Sequence, residues 1–189
     1  MSSSFIPKQV VVAVHPRFPE ALYEAQAIVD YLNEKGLDAA IGSLNNEDLR
    51  KRVKAGEFDL LISVGGDGTV LRAGHLCAPC DVPILGINMG KLGFLIQVQR
   101  DSWHEMIDKM LLGDFWIEKR LMLRVELFRA GEKQGTWHAL NEAVVSRGQY
   151  LNPVHISASV DGLQLTTYVA DGLIASTATG STAYALAAG

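Results

Sequence analysis

The segment from residue 60 to residue 73 constrains the fold of this chain more than any other. An apolar run, LLISV (residues 60–64), ends in the sequence GGDGT (65–69), and VLRA (70–73) follows. Three glycines in four positions allow backbone conformations that other residues avoid, and they let a ligand approach the main chain closely. The segment therefore predicts a buried strand, a tight turn and a helix whose free N–H groups favour an anion such as phosphate.

Asp67 gives this turn a chemical function. A carboxylate beside bound phosphates serves either as a metal ligand or as a base that accepts the proton of an attacking hydroxyl. The turn therefore favours phosphoryl transfer. The alternative is an ordinary β-to-α turn without a ligand, because a short glycine motif is weakly specific.

Strands and helices alternate through the first 115 residues. Strand-like runs occupy 8–14, 38–41, 58–64 and 83–87, and helical runs occupy 20–35, 47–54, 70–78 and 102–112. This alternation predicts a parallel sheet with helices on both faces. We therefore predict an α/β domain over residues 1–115 that carries the glycine turn.

The pattern changes near residue 115. Strand-like runs follow one another at 121–129, 136–146, 154–160 and 163–169, and Asp161-Gly162 is a hairpin signal between the last two. Residues 116–189 are therefore predicted to form an antiparallel β domain.

Composition excludes several partners. The net charge is −4 and basic residues do not cluster, so nucleic acid is not expected as a partner. Long apolar runs and the features of a signal peptide are missing, which predicts a cytoplasmic protein without a membrane partner. Cys77 and Cys80 form one C-x-x-C pair, which cannot supply four zinc ligands. We interpret them as small apolar residues in a helix-to-strand connection, with a redox or metal role as the alternative.

Four further segments carry polar groups suited to ligand binding or catalysis. The loop at 86–95 follows a strand and should lie at the same sheet edge as Asp67, although a purely structural loop is the alternative. Asn141-Glu142 interrupts an apolar stretch, so the pair either hydrogen-bonds the hydroxyls of a sugar or points to solvent. A third strand opens with Asp171. The hydroxyl-rich stretch 177–184 precedes a small-residue helix and suits a polar or anionic ligand.

Together, these segments resemble the motif set of the NAD kinases, in the same order. The matching residues are GGDGT (65–69), N-x-G-x-LGFL (88–95), NE (141–142) and the stretch from DGL (171–173) to TGSTAY (179–184). The first motif is shared with lipid kinases of the diacylglycerol and sphingosine type, whereas the last two are more specific. The resemblance extends from the first strand to the end of the chain.

The resemblance implies roles for individual residues. Asp67 would be the catalytic base that takes the proton from the adenosine ribose 2′-hydroxyl of NAD. Asn141 and Glu142 would hold ribose and adenine-side groups, and Asp171 would contact the nicotinamide end. The full set of implied NAD- or ATP-binding residues is Gly66, Asp67, Gly68, Thr69, Arg72, Asn88, Asn141, Glu142, Asp171, Thr179, Thr182, Ala183 and Tyr184.

The resemblance also implies a fold and partners. An N-terminal α/β domain with a parallel sheet would precede an antiparallel β-sandwich, which would be incomplete here because the family's sandwich continues well beyond 189 residues. ATP or polyphosphate would be the phosphoryl donor, and Mg²⁺ would be held mainly by substrate phosphates, with no protein metal ligand implied. A homo-oligomer is expected.

The sequence is also compatible with two other functions. One is a nucleotide-binding module without catalysis, and the other is a lipid kinase that shares the glycine–aspartate turn. A dehydrogenase is disfavoured because the first strand leads into His15-Pro16-Arg17 instead of G-x-G-x-x-G.

Overall fold

The computed structural model describes residues 5–14, 19–90, 93, 95–96, 98–148 and 152–189. Two compact units divide the chain, an N-terminal unit (Met1–Glu118) and a C-terminal unit (Lys119–Gly189). His15, Pro16 and Arg17 lie outside the described residues. Among the described helices, none has the length and apolar character needed to cross a bilayer.

The N-terminal unit is a parallel α/β sheet, as the alternating pattern predicts. Its described strands are β1 (Gln9–Val14), β2 (Asp38–Ser43), β3 (Leu60–Gly65), β4 (Ile84–Asn88) and β5 (Val98–Gln99), and its α-helices are α1 (Pro19–Glu34), α2 (Glu47–Lys54), α3 (Asp67–Cys77) and α4 (Trp103–Leu111). A short 3₁₀ turn, Ala78–Cys80, follows α3. The strand order is β2-β1-β3-β4-β5, and every pairing is parallel.

Apolar side chains cover both faces of this sheet. On one face, Val10 and Val12 of β1 pack in a core with α1 and α4. On the other face, Val11 and Ala13 pack in a second core with α2 and α3. Because successive strand residues point to opposite faces, a strand buried on both sides must be apolar throughout, which explains the continuous runs in the sequence.

The strand order places a topological switch point at the carboxyl ends of β1 and β3. From β1 the chain moves to β2 on one side and then returns to β3 on the other side. Open α/β sheets bind ligands in the crevice at such a point. The glycine turn follows β3 directly, so the fold places it at this edge.

The C-terminal unit consists of antiparallel strands. They are β6 (Leu123–Arg129), β7 (Glu132–Ala139), β8 (Glu142–Ser146), β9 (Val154–Val160), β10 (Leu163–Ala170) and β11 (Gly172–Ser176), followed by a 3₁₀ turn (Gly180–Thr182) and α5 (Tyr184–Ala188). In the described residues they pair as β6 with β7, β8 with β11, and β9 with β10. The hairpin predicted at Asp161-Gly162 is confirmed, with φ of 51° and 80° at the two positions.

The prediction of one continuous strand over 136–146 is wrong. The chain breaks after Ala139 and resumes at Glu142. The carbonyls of Leu140 and Asn141 accept hydrogen bonds from Thr177, from its hydroxyl and its backbone N–H respectively. These long-range bonds take the place of ladder bonds, so the strand ends where the polar pair begins.

Candidate functional site

Close packing around Gly65 builds the turn between β3 and α3. Thr69 is 6% exposed, and a Cβ added at Gly65 would lie 3.0 Å from the Cβ of Thr69 and closer still to its hydroxyl. Gly66 caps α3, and its carbonyl accepts from the N–H groups of Thr69 (2.8 Å) and Val70 (3.3 Å). Gly66 and Gly68 are exposed, and a Cβ at either would meet nothing within 4 Å. The first turn of α3 therefore presents its main chain openly to an anion.

Asp67 is the first residue of α3, and its carboxylate lies against the connection between β4 and β5. The Leu95 N–H donates to Asp67 Oδ1 at 3.2 Å. A Cβ built on Gly93 would lie 2.7 Å from Asp67 Cγ and 2.8 Å from Oδ2. The structure thus brings the first two sequence motifs together, with the second motif fixing the carboxylate of the first.

Asn88 stabilises this connection from within. It is 2% exposed; its Oδ1 accepts from the Gly90 N–H (3.1 Å), and its Nδ2 donates to Gln99 Oε1 (3.4 Å). Gly65 and Asn88 are partners in the β3–β4 ladder. Asn88 therefore lies at the predicted edge of the sheet, where its side chain links β4 to β5 and to the start of the connection. Lys91, Leu92 and Phe94 of the same motif lie outside the described residues.

Apolar packing holds the far end of the connection. Ile96 is 2% exposed. A Cβ added at Gly86 of β4 would lie 3.1 Å from both Ile96 Cγ1 and Val70 Cγ2. Since Gly86 has no side chain, Ile96 and Val70 of α3 can both pack over β4.

A surface cleft of about 460 Å³ adjoins the carboxyl ends of β4 and β5. It is lined by Glu24, Asn88, Met89, Gly90, Gln99, Arg100 and Asp101. Glu24 is already paired there, accepting from the Trp103 indole N–H (2.7 Å) and from Arg100. Gln99 is a residue that sequence reasoning missed, since a single glutamine in a two-residue strand carries no local signal.

Arg72 lies on a different side of α3 from Asp67. It is exposed on α3, five positions after Asp67, which places it about 140° around the helix axis. Its predicted contact with phosphates stays a prediction.

The polar pair and the hydroxyl-rich turn meet in the C-terminal unit. The Asn141 carbonyl accepts from the Thr177 N–H (2.8 Å) and from the Ser176 hydroxyl (3.2 Å). Thr177 is buried; its hydroxyl donates to the Leu140 carbonyl (2.5 Å) and accepts from the Gly180 N–H (3.0 Å). A Cβ at Gly180 would lie 2.6 Å from the Cα of Asn141, so only glycine allows this approach.

Two oxygens of the polar pair are buried and have no hydrogen-bond partner in the described part of the chain. Among the described residues, Asn141 Oδ1 and Glu142 Oε2 have no hydrogen-bond donor. An unmet buried acceptor costs about 1–3 kcal/mol, so such atoms usually indicate a missing donor. This burial favours the interpretation that the pair binds hydroxyl or amino groups of a ligand over the alternative that it points to solvent.

The remaining residues of the predicted set lie around the turn that follows β11. Thr179 accepts from Arg120 Nη1 at 3.2 Å. Thr182 ends the 3₁₀ turn and is exposed, and Tyr184 begins α5 with 56% of its surface exposed. Ala183 connects these two elements. The last three side chains thus have surface available for a ligand.

Asp171 lies at the opposite end of the β8–β11 ladder. The register pairs Glu142 with Ser176 at one end and Ser146 with Gly172 at the other. Asp171 is therefore roughly 16 Å along the strand from Ser176, at about 3.3 Å per residue. Its carboxylate is 76% exposed and pairs with Arg147 Nη1 at 3.3 Å. The ladder does not bring Asp171 together with Asn141 and Glu142.

The two cysteines are free thiols at the end of α3. Burial, together with the nearby Cys80, raises the pKa of Cys77 to about 12, which keeps this thiol protonated near neutral pH. Cys80 Sγ donates to the Leu76 carbonyl. Across the described residues, His, Cys, Asp and Glu side chains form no group of three or more that could hold a metal ion.

The fold resembles that of a solved structure. Yeast NADH kinase, crystallised with NADH, superposes with a TM-score of 0.81 and 22% sequence identity, covering 97% of this chain and 62% of that protein. At this identity, the likeness establishes the fold alone.

Sequence comparison identifies the family. NAD kinase of Chloroflexus aurantiacus is 37% identical over 182 residues, which cover 96% of this chain and 66% of the relative. NAD kinase of Symbiobacterium thermophilum is 39% identical over 191 residues, with 97% and 67% covered. This chain spans about two thirds of the length of these relatives.

Residues 20–115 match the ATP-NAD kinase N-terminal domain and residues 140–189 match its C-terminal domain. The chain belongs to the NAD kinase family.

Proposed function

We propose that this protein phosphorylates the 2′-hydroxyl of the adenosine ribose of NAD to give NADP, with ATP or another phosphoryl donor such as polyphosphate. Family membership supports the proposal. The single observation that carries it is the placement of Asp67. Its carboxylate lies at the N-terminus of α3, at the switch point of the sheet, and is oriented by the Leu95 N–H and by contact with Gly93.

The chemistry assigned to Asp67 is general-base catalysis. A sugar hydroxyl is a poor nucleophile at neutral pH until its proton is accepted. In the proposed step the 2′-oxygen bonds to the γ-phosphorus, the bond from that phosphorus to the bridging oxygen of the leaving diphosphate breaks, and the proton passes to Asp67. Such assistance is typically worth about 10²–10⁴ in rate.

The main chain around Asp67 suits the phosphates of the donor. Exposed Gly66 and Gly68 allow the phosphates to approach the N-terminus of α3, where the helix dipole favours negative charge. We assign Thr69 to packing of this turn, since it is buried against Gly65. Mg²⁺ would neutralise charge on the transferred group, and it would be held mainly by phosphate oxygens and water.

We assign recognition of NAD to the C-terminal unit. The unpartnered oxygens of Asn141 and Glu142 accept hydrogen bonds from ribose hydroxyl or adenine amino groups. Five further residues are assigned to NAD. The nucleotide would contact Thr179, Thr182, Ala183 and Tyr184, and the nicotinamide end would contact Asp171. We further propose a cytoplasmic homo-oligomer.

The experiment follows NADP formation by the purified protein with NAD, ATP and Mg²⁺. We expect wild type to form NADP and Asp67→Asn to lose about 10²–10⁴ in kcat, because the amide cannot accept the proton. Asp48→Asn is the matched control, since Asp48 is an exposed carboxylate in the first turn of α2. Calorimetry with NAD confirms that each variant still binds.

Other outcomes would contradict the proposal. If wild type binds NAD but forms no NADP with ATP or polyphosphate, the protein is a nucleotide-binding module without catalysis. If it has no affinity for NAD but phosphorylates a diacylglycerol or sphingosine, it is a lipid kinase. If Asp67→Asn retains the wild-type kcat, the base is another group.

A further inference from the structure

We propose that Gln99 is a positioning residue for Asp67, acting through Asn88 and the connection between β4 and β5. This inference rests on the proposed function, because it assigns Gln99 a part in orienting the base. Gln99 lies on the edge strand β5, outside the short motifs at 65–69 and 88–95 that carry the resemblance to NAD kinases.

The backbone alone holds β5 weakly. In the described residues, the β4–β5 ladder has two partner pairs, Ile87 with Val98 and Asn88 with Gln99. The other parallel ladders of the sheet have five or six pairs each. A side-chain hydrogen bond between β4 and β5 therefore contributes a larger share of the contacts between these strands than it would in the longer ladders.

Asn88 and Gln99 supply that link, and it reaches the connection between the strands. Gln99 Oε1 accepts from Asn88 Nδ2 at 3.4 Å, and Asn88 Oδ1 accepts from the Gly90 N–H at 3.1 Å. The second bond fixes the start of the connection, and the ladder position of Gln99 fixes its end. Between them lie the residues that touch Asp67, namely Gly93 and Leu95. Losing the Gln99 acceptor would release the Asn88 amide from its strand partner and allow the connection to shift away from Asp67.

The amide orientation of Gln99 is set by this chain of donors and acceptors. Because Asn88 Oδ1 is used by Gly90, Asn88 must present its NH₂ group, and Gln99 must present its oxygen. The Gln99 Nε2 is then left buried, without an acceptor among the described residues. Within the part of the chain that the structure describes, a glutamine at this position thus retains one unmet donor, which is an arrangement that packing alone would not require.

A competing explanation is that Ile96 alone anchors the connection. Ile96 is buried over Gly86 and against Val70, so apolar packing also resists movement there. The two explanations differ in what removal of the Gln99 acceptor does. If packing is sufficient, a side chain of similar volume without an oxygen will leave Asp67 in place.

The experiment compares Gln99→Met, which keeps the volume and removes the acceptor, with Gln99→Glu, which keeps an oxygen facing Asn88. Gln26→Met is the matched control on the exposed side of α1. We expect Gln99→Met to lower kcat for NADP formation at least tenfold with the KM for NAD within twofold, and Gln99→Glu to recover most of that loss. Hydrogen exchange of the Leu95 amide, followed by NMR, should become at least tenfold faster in Gln99→Met alone.

The result that overturns the inference is a Gln99→Met variant whose kcat and Leu95 exchange both equal those of Gln26→Met. Equal losses in Gln99→Met and Gln99→Glu also overturn it, because the effect would then not depend on the acceptor. Should Gln99→Met fail to fold, Gln99→Ser removes the acceptor by shortening the side chain and takes its place. If wild type forms no NADP, the proposed function fails, while Leu95 exchange still decides whether Gln99 positions the connection.

Discussion

The contact between Gly93 and Asp67 allows the position of the base to be tested without changing the base itself. In Gly93→Ala, the new Cβ would lie 2.7 Å from Asp67 Cγ and 2.8 Å from Oδ2. The new Cβ would lie closer still to Oδ1, the oxygen that accepts from Leu95, and normal van der Waals contact begins near 3.4 Å, so the carboxylate must move by about 1 Å. The Leu95 N–H that donates to the same carboxylate would lose its alignment.

The expected loss of rate follows from this displacement. A misplacement of about 1 Å costs about 10²-fold in rate when reacting groups depend on alignment. We therefore expect kcat for NADP formation to fall about 10²-fold in Gly93→Ala, which corresponds to about 2.7 kcal/mol in the barrier. The KM for NAD should change little, because Gly93 is not assigned a contact with NAD.

Gly90→Ala is the matched control in the same connection. Its added Cβ meets nothing within 4 Å, so we expect a kcat within twofold of wild type. The assay is steady-state NADP formation at saturating ATP and Mg²⁺, with the midpoint of urea unfolding measured for each variant. A folded Gly93→Ala enzyme with the wild-type kcat would refute the reasoning, since the carboxylate cannot stay in place beside a methyl group.

Two further predictions concern stability. Gly180→Ala places a methyl group against the backbone contact described above, so we expect a loss of about 1–3 kcal/mol in urea unfolding and weaker NAD binding in titration calorimetry, whereas Gly148→Ala, in open space, changes neither. The Lys35 ammonium, followed by the Tyr31 hydroxyl, lowers the pKa of Asp108 below 3.8. The resulting stability is present above about pH 3.8 and is lost as the pH falls through the native pKa. The Tm difference between wild type and Asp108→Asn should therefore shrink when melting curves are recorded below pH 3.8 instead of at pH 6; a constant difference would contradict this.

The sequence predicts the N-terminal unit well because local patterns determine it. Apolar runs such as 60–64 are long enough to identify strands buried on both faces, and the glycines mark the turn before α3. The predicted helix over 47–54 has the observed bounds. By contrast, β5 has two residues, which is too short for any periodicity to reveal, and Gln99 gains its contacts only from the ladder register.

The C-terminal unit is less predictable because distant contacts define it. The polar pair interrupts the apolar stretch but does not show that the strand ends; Thr177, far along the chain, supplies the bonds that replace the ladder. The motifs identified Asn141 and the turn near Gly180 as candidate residues, but their mutual contact depends on the pairing of β8 with β11. The same pairing places Asp171 at the opposite end of the ladder from Asn141, a separation that the sequence alone does not give.

The two units differ in how much apolar surface they hide from water. Among the described residues, every buried apolar side chain belongs to the N-terminal unit except Leu140. Local opening is easiest where few apolar contacts must be broken. Brief digestion of the native protein should therefore cleave first within residues 119–189 and leave a resistant fragment that contains the parallel sheet. In this chain the groups assigned to the phosphates lie on the half with the larger buried core, and those assigned to the dinucleotide lie on the half that we expect a protease to cut first.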